Sequence, residues 1–180
     1  MSIFILILIF LIFFIFLWLS LAVLKGTFFG APWVPVDKKT LAYLIGLLDL
    51  KENEILYDLG SGDGRVLIEA AAKYNFKKAV GIEVSGFLCL WSKIKIRLKG
   101  LSSKIIIKKA NLFKENLAEA DVIIFYLMPE CLKKVKEKFK KELKSGTRIF
   151  SVSFPLPDRQ PSQTFKKQDT LTVYYYEISV

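Results

Sequence analysis

A glycine-rich turn, Asp58–Arg65 (DLGSGDGR), joins an apolar segment to a helix-like one. The residues around its start, Glu54–Leu59, have the pattern of a strand, and Gly64–Tyr74 has that of a helix. Glycines allow a tight turn and a close approach of the backbone to a ligand, and the first turn of a helix offers free N–H donors. The segment therefore predicts a strand–loop–helix unit that binds a ligand at its loop.

Two carboxylates near this loop indicate what kind of ligand it binds. Asp58 stands at the end of the first strand, and Glu83 stands at the end of the next, 19 residues after Gly64. A carboxylate at the second position suits two ribose hydroxyls. An acid directly before the glycines disfavours a pyrophosphate and favours a cationic or amino-acid group. The pattern predicts S-adenosylmethionine (SAM) rather than a dinucleotide, with a purely structural turn as the alternative.

Strands and helices alternate along the rest of the chain. Asp37 is placed to cap a helix over Lys38–Leu48. After the glycine loop we predict strands and helices in turn at Lys78–Val84, Ser85–Leu98, Lys104–Lys109, Asp121–Leu127, Pro129–Leu143, Thr147–Phe154 and Leu171–Ile178, with a short strand near Thr164–Lys167. The runs Val122–Phe125 and Ile105–Ile107 are continuously apolar, as in sheets buried on both faces. The pattern predicts an α/β fold with a parallel sheet between two layers of helices.

The sequence resembles the class I SAM-dependent methyltransferases in DLGSGDGR at 58–65, VLIEAA at 66–71 and GIEVS at 81–85. It resembles more closely the membrane-associated lysine N-methyltransferases of the mitochondrial ADP/ATP carrier and the ATP synthase c subunit, and their prokaryotic relatives. That closer resemblance rests on Tyr57, Tyr126–Glu130 (YLMPE), Phe154–Pro157 (FPLP), and a hydrophobic N-terminus with a linker rich in proline and aromatic residues. It covers roughly residues 30–160 and implies a Rossmann-like methyltransferase sheet.

The resemblance also implies site residues. The glycine loop would hold the methionine moiety and ribose of SAM through Asp58, Gly60, Ser61, Gly62, Asp63, Gly64 and Arg65. Glu83 would bind the ribose hydroxyls, and Asn111 with Leu112 would contact the adenine where many class I enzymes carry an aspartate. Residues 126–130 replace the Asn/Asp-Pro-Pro-Tyr of many amine methyltransferases, and residues 32–35 would cover the cofactor or substrate entrance.

The predicted chemistry is methyl transfer to a lysine amine. The sulfonium methyl is already activated, so the protein mainly aligns and desolvates the reactants. Lysine, with a free pKa of about 10.4, is charged at neutral pH, and an apolar aromatic slot favours its neutral form. We predict that Tyr126 and Glu130 are catalytic, and that the substrate is bound by Trp33, Pro35, Met128 and Pro129. The alternatives are an interfacial anchor for Trp33 and a helix first-turn acid for Glu130.

The first 24 residues contain no charged side chain. The run Ile3–Leu24 is interrupted only by Ser20, and as a helix it would extend about 33 Å, against a hydrocarbon core of about 30 Å. We predict a transmembrane anchor over 1–24, a linker over 25–37 and the methyltransferase domain over 38–180. A cleaved signal peptide is the alternative, disfavoured by the length of the run and the lack of a basic segment before it. Lysines follow the run, which predicts a cytoplasmic domain under the positive-inside rule.

The composition excludes several other chemistries. The chain has no histidine, which removes histidine general bases and histidine-ligated zinc, and no metal is expected. Its two cysteines, Cys89 and Cys131, are predicted to be reduced core residues. The net charge is +10, and most lysines of the predicted helix 129–143 are expected on a solvated face, with anionic lipid as the functional alternative and no nucleic acid partner.

Three functions follow, in order of preference. The first is a membrane-anchored protein-lysine N-methyltransferase that acts on a membrane protein in the same lipid bilayer, where tethering raises the local substrate concentration. The second is a methyltransferase of a lipid-soluble small molecule, such as a quinone or a lipid. The third is a SAM-binding assembly factor without catalysis.

Overall fold

A computed structural model describes residues 3–28 and 34–179 of the chain, and for Leu19 and residues 22–28 it describes the backbone only. The chain forms a long N-terminal helix, α1 (Ile3–Phe28), and an α/β domain. The domain contains, in chain order, α2 (Lys38–Leu47), β1 (Ile55–Leu59), α3 (Arg65–Lys73), β2 (Lys78–Glu83), α4 (Gly86–Leu98), β3 (Ile105–Lys109), β4 (Val122–Phe125), α5 (Pro129–Glu142), β5 (Arg148–Val152), β6 (Gln163–Phe165) and β7 (Val173–Glu177).

The seven strands form one sheet in the order β3-β2-β1-β4-β5-β7-β6. Strands β1 to β5 are parallel, whereas β7 pairs antiparallel with both β5 and β6. The α/β fold is confirmed, and the parallel arrangement predicted from the alternation of strands and helices holds for β1 to β5 but not at this edge. A parallel connection needs a crossover, usually a helix, and the proline-containing segment after β5 forms none.

Helices cover the two faces of the sheet unequally. The core on one face joins Leu44 of α2, Leu67 of α3 and Ile96 of α4 to inward side chains of the strands. The core on the other face is formed largely with Leu132 and Phe139 of α5. Among the described residues, three helices thus pack on the first face and one on the second.

One burial prediction was wrong, and one was right for most of its residues. Ile106 of β3 is 42% exposed, because β3 is the edge strand. Most lysines of α5 and its C-terminal end are exposed, as predicted. Lys136 and Lys138 are the exceptions: both are buried, and their ammonium groups pair with Asp158 and Glu142 at 3.0 and 2.6 Å. The prediction of reduced cysteines is confirmed, since Cys89 and Cys131 form no disulfide; Cys89 is buried and Cys131 packs half-buried against the second core.

Local capping signals place the helix starts that position the site. The Asp37 carboxylate accepts hydrogen bonds from the backbone N–H groups of Lys39 and Thr40 at 2.9 and 3.0 Å, so α2 begins where predicted. The Ser85 hydroxyl likewise accepts from the N–H of Leu88 and caps α4. The Asp37 cap lies directly before the helix that it starts, which explains why the sequence revealed it.

The N-terminal helix α1 is 26 residues long and extends four residues beyond the predicted anchor. Its side chains are described without a gap over residues 3–18, and the large apolar ones among them are exposed. Among the residues whose side chains are described, no helix is long and apolar enough to cross a membrane. The transmembrane anchor therefore stays a prediction.

Candidate active site

A cleft lies at the carboxyl ends of β1 and β4, beside the glycine loop. The side chains and backbone that line it come from the segment before α2, from α2, from the loop and from the ends of β4 and β5: Val34, Pro35, Val36, Leu44, Asp58, Gly60, Ser61, Gly62, Asp63, Arg65, Val66, Ile124, Tyr126 and Val152. Ligands bind in open parallel sheets at this edge, where the strand order reverses between β1 and β4. The cleft unites most of the predicted loop residues with Pro35 and Tyr126.

The glycine loop turns sharply because its backbone uses conformations that other residues avoid. Gly60 has φ +82° and Gly64 has φ +76°. The N–H groups of Gly60 and Ser61 both donate to the carbonyl of Ile82 in β2, at 2.9 and 3.0 Å. Gly64 is the N-cap of α3 and does not line the cleft; a Cβ there would lie 3.0 Å from the Cβ of Ser92. Gly64 therefore permits close packing of α3 against α4, which the sequence did not indicate.

Asp58 is a buried carboxyl at the end of β1. Its residue is only 4% exposed, and burial, with the nearby charges of Glu83 and Asp63, raises its pKa to about 8. Within residues 3–28 and 34–179, no ion pair involves this carboxyl. A buried acid of this kind is neutral near pH 7 until a cation comes next to it. The site thus has a place for the positive charge of a ligand.

Glu83 holds the glycine loop against the end of β2. One carboxylate oxygen accepts a hydrogen bond from the N–H of Gly62 at 2.9 Å, and the other accepts from the N–H of Ser85 at 2.7 Å. Each carboxylate oxygen has two acceptor positions, so one on each oxygen remains for a ligand hydroxyl. Glu83 is buried but does not line the cleft. The contacts that it makes in the structure fix the glycine loop.

The buried hydroxyl of Ser61 is an indication that a ligand binds at the loop. Among the described residues, this hydroxyl has no hydrogen-bond partner. Gly81 of β2 makes room for it, since a Cβ at that position would lie 2.6 Å from the Ser61 Oγ. Buried polar groups without a partner cost free energy, and a bound ligand or water can supply that partner.

Asp63 and Arg65, both predicted to bind the cofactor, form an ion pair with each other. The Arg65 guanidinium donates to both oxygens of Asp63, at 2.9 and 3.0 Å, and Lys95 of α4 donates to the same carboxylate at 2.9 Å. Burial opposes ionisation of Asp63, but these two cations keep its pKa below the ordinary value. Arg65 also donates to the carbonyl of Val36 at 3.0 Å.

This group, which we call the Asp63 clasp (Asp63, Arg65, Lys95 and the Val36 carbonyl), joins three parts of the chain. It ties the glycine loop to α4 and to the segment before α2. The sequence did not indicate that Lys95 and Val36 take part in this group. Lys95, for example, is 32 residues away from Asp63, and a partner at that distance leaves no local signal. The cleft wall is therefore held by ion pairs as well as by packing.

The predicted adenine contacts lie beside Glu83 but outside the cleft lining. Asn111 follows β3, and its side-chain oxygen accepts from the N–H of Phe113 at 3.0 Å, which leaves the amide NH₂ available. Leu112 packs against the second core. The N–H of Ala110 donates to the Glu83 carbonyl at 2.9 Å, so the end of β3 adjoins the end of β2. The two predicted ribose and adenine segments are thus neighbours.

The predicted catalytic residues are not all brought together. Tyr126 lines the cleft, and its ring stacks on Phe154 with centroids 6.5 Å apart and planes 24° apart. Glu130 lies in the first turn of α5, is exposed and does not line the cleft. Pro129, also exposed, and Met128, half-buried, start the same helix. Trp33 lies outside the described residues. Phe154 belongs to a segment that supported the resemblance, but no site role had been given to it.

The residues present fit SAM. Its ammonium and sulfonium charges match a buried acid that lacks a cation, its ribose hydroxyls match the free acceptors of Glu83, and its polar groups match the buried Ser61 hydroxyl. The strand order, the glycine loop after β1 and the acid at the end of β2 define a class I SAM-dependent methyltransferase.

The chain belongs to the family described as "ANTKMT methyltransferase domain", whose match extends over residues 58–163. Among its relatives, a protein-lysine N-methyltransferase of Saccharolobus islandicus (strain REY15A) is 35% identical over 150 residues, which is 82% of this chain and 93% of that protein. A lysine N-methyltransferase of Rattus norvegicus, named for the c subunit of ATP synthase, is 28% identical over 148 residues, covering 82% of this chain and 67% of that protein.

A solved structure agrees with these relatives in fold and cofactor. The crystal structure of an RNA methyltransferase from Salinibacter ruber in complex with S-adenosyl-L-homocysteine has a TM-score of 0.76 and 31% identity, and the match covers 81% of this chain and 94% of that one. The resemblance predicted from the motifs is confirmed. The protein is a SAM-dependent methyltransferase, and SAM is its cofactor.

Proposed function

We propose that the protein is a membrane-anchored enzyme that transfers the methyl group of SAM to a lysine side chain of a membrane protein. The observation that carries the proposal is the cleft itself, where Tyr126, whose ring stacks on Phe154, lines the same space as the buried acid Asp58. The lysine N-methyltransferases among the relatives support the choice of acceptor, and one of them is named for an ATP synthase component.

Several residues of the chain hold the cofactor in this proposal. SAM supplies a methyl group on a positively charged sulfur. Asp58 binds cationic charge and gives up its proton as it does so, because a neighbouring cation lowers its raised pKa. Glu83 accepts from hydroxyls with its remaining lone pairs, and the Asp63 clasp keeps the loop in position. The free enzyme is thus largely preorganised for the ligand.

The acceptor lysine has to lose its proton before it reacts. In water its pKa is about 10.4, and transfer into an apolar site lowers that value. Tyr126, backed by the ring of Phe154, supplies an aromatic wall for an amine and a methyl group. The neutral nitrogen forms the new bond to the methyl carbon while the carbon–sulfur bond breaks, and the products are methylated lysine and S-adenosylhomocysteine.

Glu130 has a more distant part in the proposal. Its exposed position at the start of α5, four residues after Tyr126 of the cleft, suits a group that takes up the released proton and passes it to water. The helix dipole favours an acid at the same place for structural reasons alone. Glu130→Gln separates the two roles: the catalytic one requires a lower kcat at unchanged thermal stability, and unchanged kcat leaves only the structural one.

The membrane part of the proposal rests on the sequence and on α1. The run Ile3–Leu24 carries no charge, α1 is 26 residues long, about 39 Å, and its described apolar side chains are exposed. Lys25, Lys38 and Lys39 follow the run, which favours a cytoplasmic catalytic domain. Such a tether would hold the cleft near proteins of the same bilayer and raise their effective concentration.

The test uses the full-length protein, SAM labelled in its methyl group, and membranes from cells that lack the protein. Label on lysine of a membrane protein supports the proposal and identifies the substrate. Label in the lipid extract favours a lipid or quinone acceptor, label in RNA favours the activity named for the Salinibacter ruber structure, and either result overturns the lysine proposal. Asp58→Asn serves as the inactive variant and Asp169→Asn, an exposed aspartate, as the matched control.

A further inference from the structure

Helix α4 turns a row of large apolar side chains toward solvent. The row consists of Phe87 (46% exposed), Leu90 (59%), Trp91 (49%), Ile94 (41%) and Leu98 (82%), which we call the α4 stripe. At 100° per residue, the stripe occupies about 100° of the helix circumference. The opposite side, with Leu88, Cys89, Ser92 and Ile96, is buried. The helix therefore has an apolar face toward the domain core and a second one directed outward.

The charges around the α4 stripe have one sign. Lys93 and Arg97 are exposed along one of its edges, and Lys99 follows at its end. Lys95 lies on the other edge and belongs to the Asp63 clasp. α4 contains no acidic residue. Apolar and aromatic side chains bordered by cations are typical of helices that lie in the interface of an anionic membrane.

A contact with α1 places the α4 stripe near the proposed membrane surface. The ring of Trp18 in α1 meets that of Phe87 edge to face, with centroids 6.4 Å apart. Trp18 precedes Lys25 by seven residues, which is about 10 Å along a helix. If α1 is inserted with Lys25 at the cytoplasmic surface, Phe87 lies at the depth of Trp18, within the interfacial region.

We propose that the α4 stripe lies in the cytoplasmic interface of a bilayer that contains anionic phospholipid, as a second membrane contact of the catalytic domain. The inference deepens the proposed membrane anchoring and rests on it. α4 begins directly after the Glu83 end of β2, at the edge of the sheet that carries the cleft. Docking by α4 would therefore hold that edge close to the headgroups, where lysines in short loops of membrane proteins lie.

The experiment places Trp91 in the bilayer or outside it. Trp18→Phe and Trp33→Phe leave Trp91 as the single tryptophan of the full-length chain. The protein is reconstituted into vesicles of phosphatidylcholine and phosphatidylglycerol, with or without bromine on the upper part of the acyl chains. The expected result is that the chain floats with the vesicles and that brominated lipid reduces Trp91 emission severalfold.

Two results would overturn the inference, and they are distinguishable. A chain that floats while Trp91 is unquenched refutes docking by α4 and leaves the anchor standing. A chain that does not float refutes both. Occupation of the α4 stripe by another protein or by a second copy would also leave Trp91 unquenched.

A charge-reversal pair tests the cationic border. Lys93→Glu with Arg97→Glu should reduce quenching severalfold in anionic vesicles and leave it unchanged in pure phosphatidylcholine. Lys133→Glu with Lys134→Glu makes the same charge change on exposed lysines of α5, across the sheet, and should leave quenching unchanged. Equal losses in the two pairs would contradict the inference, because they would indicate a general effect of net charge. SAM binding in detergent verifies that each variant is folded.

Discussion

Replacing Asp58 by asparagine should stabilise the cofactor-free protein and remove its cofactor site. The pKa of Asp58 is about 8 in the folded chain and near 3.8 in the unfolded one. Between pH 3.8 and pH 8, the Asp58 carboxyl therefore keeps its proton in the folded state and has lost it in the unfolded state. The stability connected with this carboxyl is fully present below pH 3.8 and is lost as the pH rises toward 8.

The size of the effect follows from the two pKa values. Each pH unit between them costs about 1.4 kcal/mol, so at pH 7 the wild-type carboxyl lowers the free energy of unfolding by roughly 4 kcal/mol. Asparagine has the shape of the protonated acid and no such linkage. The variant should exceed the wild type by roughly 4 kcal/mol at pH 7, or about 10 °C in Tm, and match it near pH 4.

The assay is urea unfolding of full-length protein in mild detergent, without SAM, at several pH values between 4 and 7.5. Asp158→Asn is the matched control, because Lys136 lowers the pKa of Asp158 and its removal should bring no gain. SAM binding measured in parallel should weaken at least tenfold in Asp58→Asn, as expected for loss of a hydrogen bond to a charged group. A stability difference that is absent at pH 7, or constant with pH, would show that Asp58 is ionised in the free protein and refute the reasoning.

Three further changes test other parts of the site. Tyr126→Phe should keep kcat within a few-fold while Tyr126→Ala lowers it more than tenfold in a methyl-transfer assay; equal rates would remove the aromatic wall from the mechanism. Lysine in Arg65→Lys cannot bind Asp63 through two nitrogens. SAM should therefore dissociate several times faster, and proteases should cut more readily near Val36. Unchanged dissociation and cleavage rates would show that the Asp63 clasp is dispensable. Gly64→Ala, at φ +76° and close to Ser92, should lower the free energy of unfolding by about 1–2 kcal/mol in urea, and full stability would contradict the packing role.

The parts of the fold set by local rules were predictable. The strand Lys78–Glu83 begins where predicted and ends one residue early, and the cap at Asp37 starts α2 as expected. The glycine loop and its two acids identified the cofactor, because turn geometry and ligand charge both act over a few residues. Such features are encoded within one helix turn or one strand end.

The parts that depend on distant neighbours were not predictable. Whether Ile106 is covered depends on which strand ends the sheet, and the burial of Lys136 depends on an aspartate 22 residues later. The same holds for Lys95 in the Asp63 clasp. Glu130 matched a segment of known relatives, yet nothing local determines on which side of the helix start its carboxylate lies. The role of Trp33 stays a prediction.

The contact between Arg65 and the Val36 carbonyl has a thermodynamic consequence. It connects the cofactor loop with the stretch of backbone through which the domain is joined to α1. Any event at the N-terminal side that shifts this stretch, such as a change in how α1 sits against the domain, alters the free energy of the loop. Linkage is reciprocal, so cofactor occupancy must bias the same event by an equal factor. The affinity for SAM and the position of this stretch would then be coupled through one free energy.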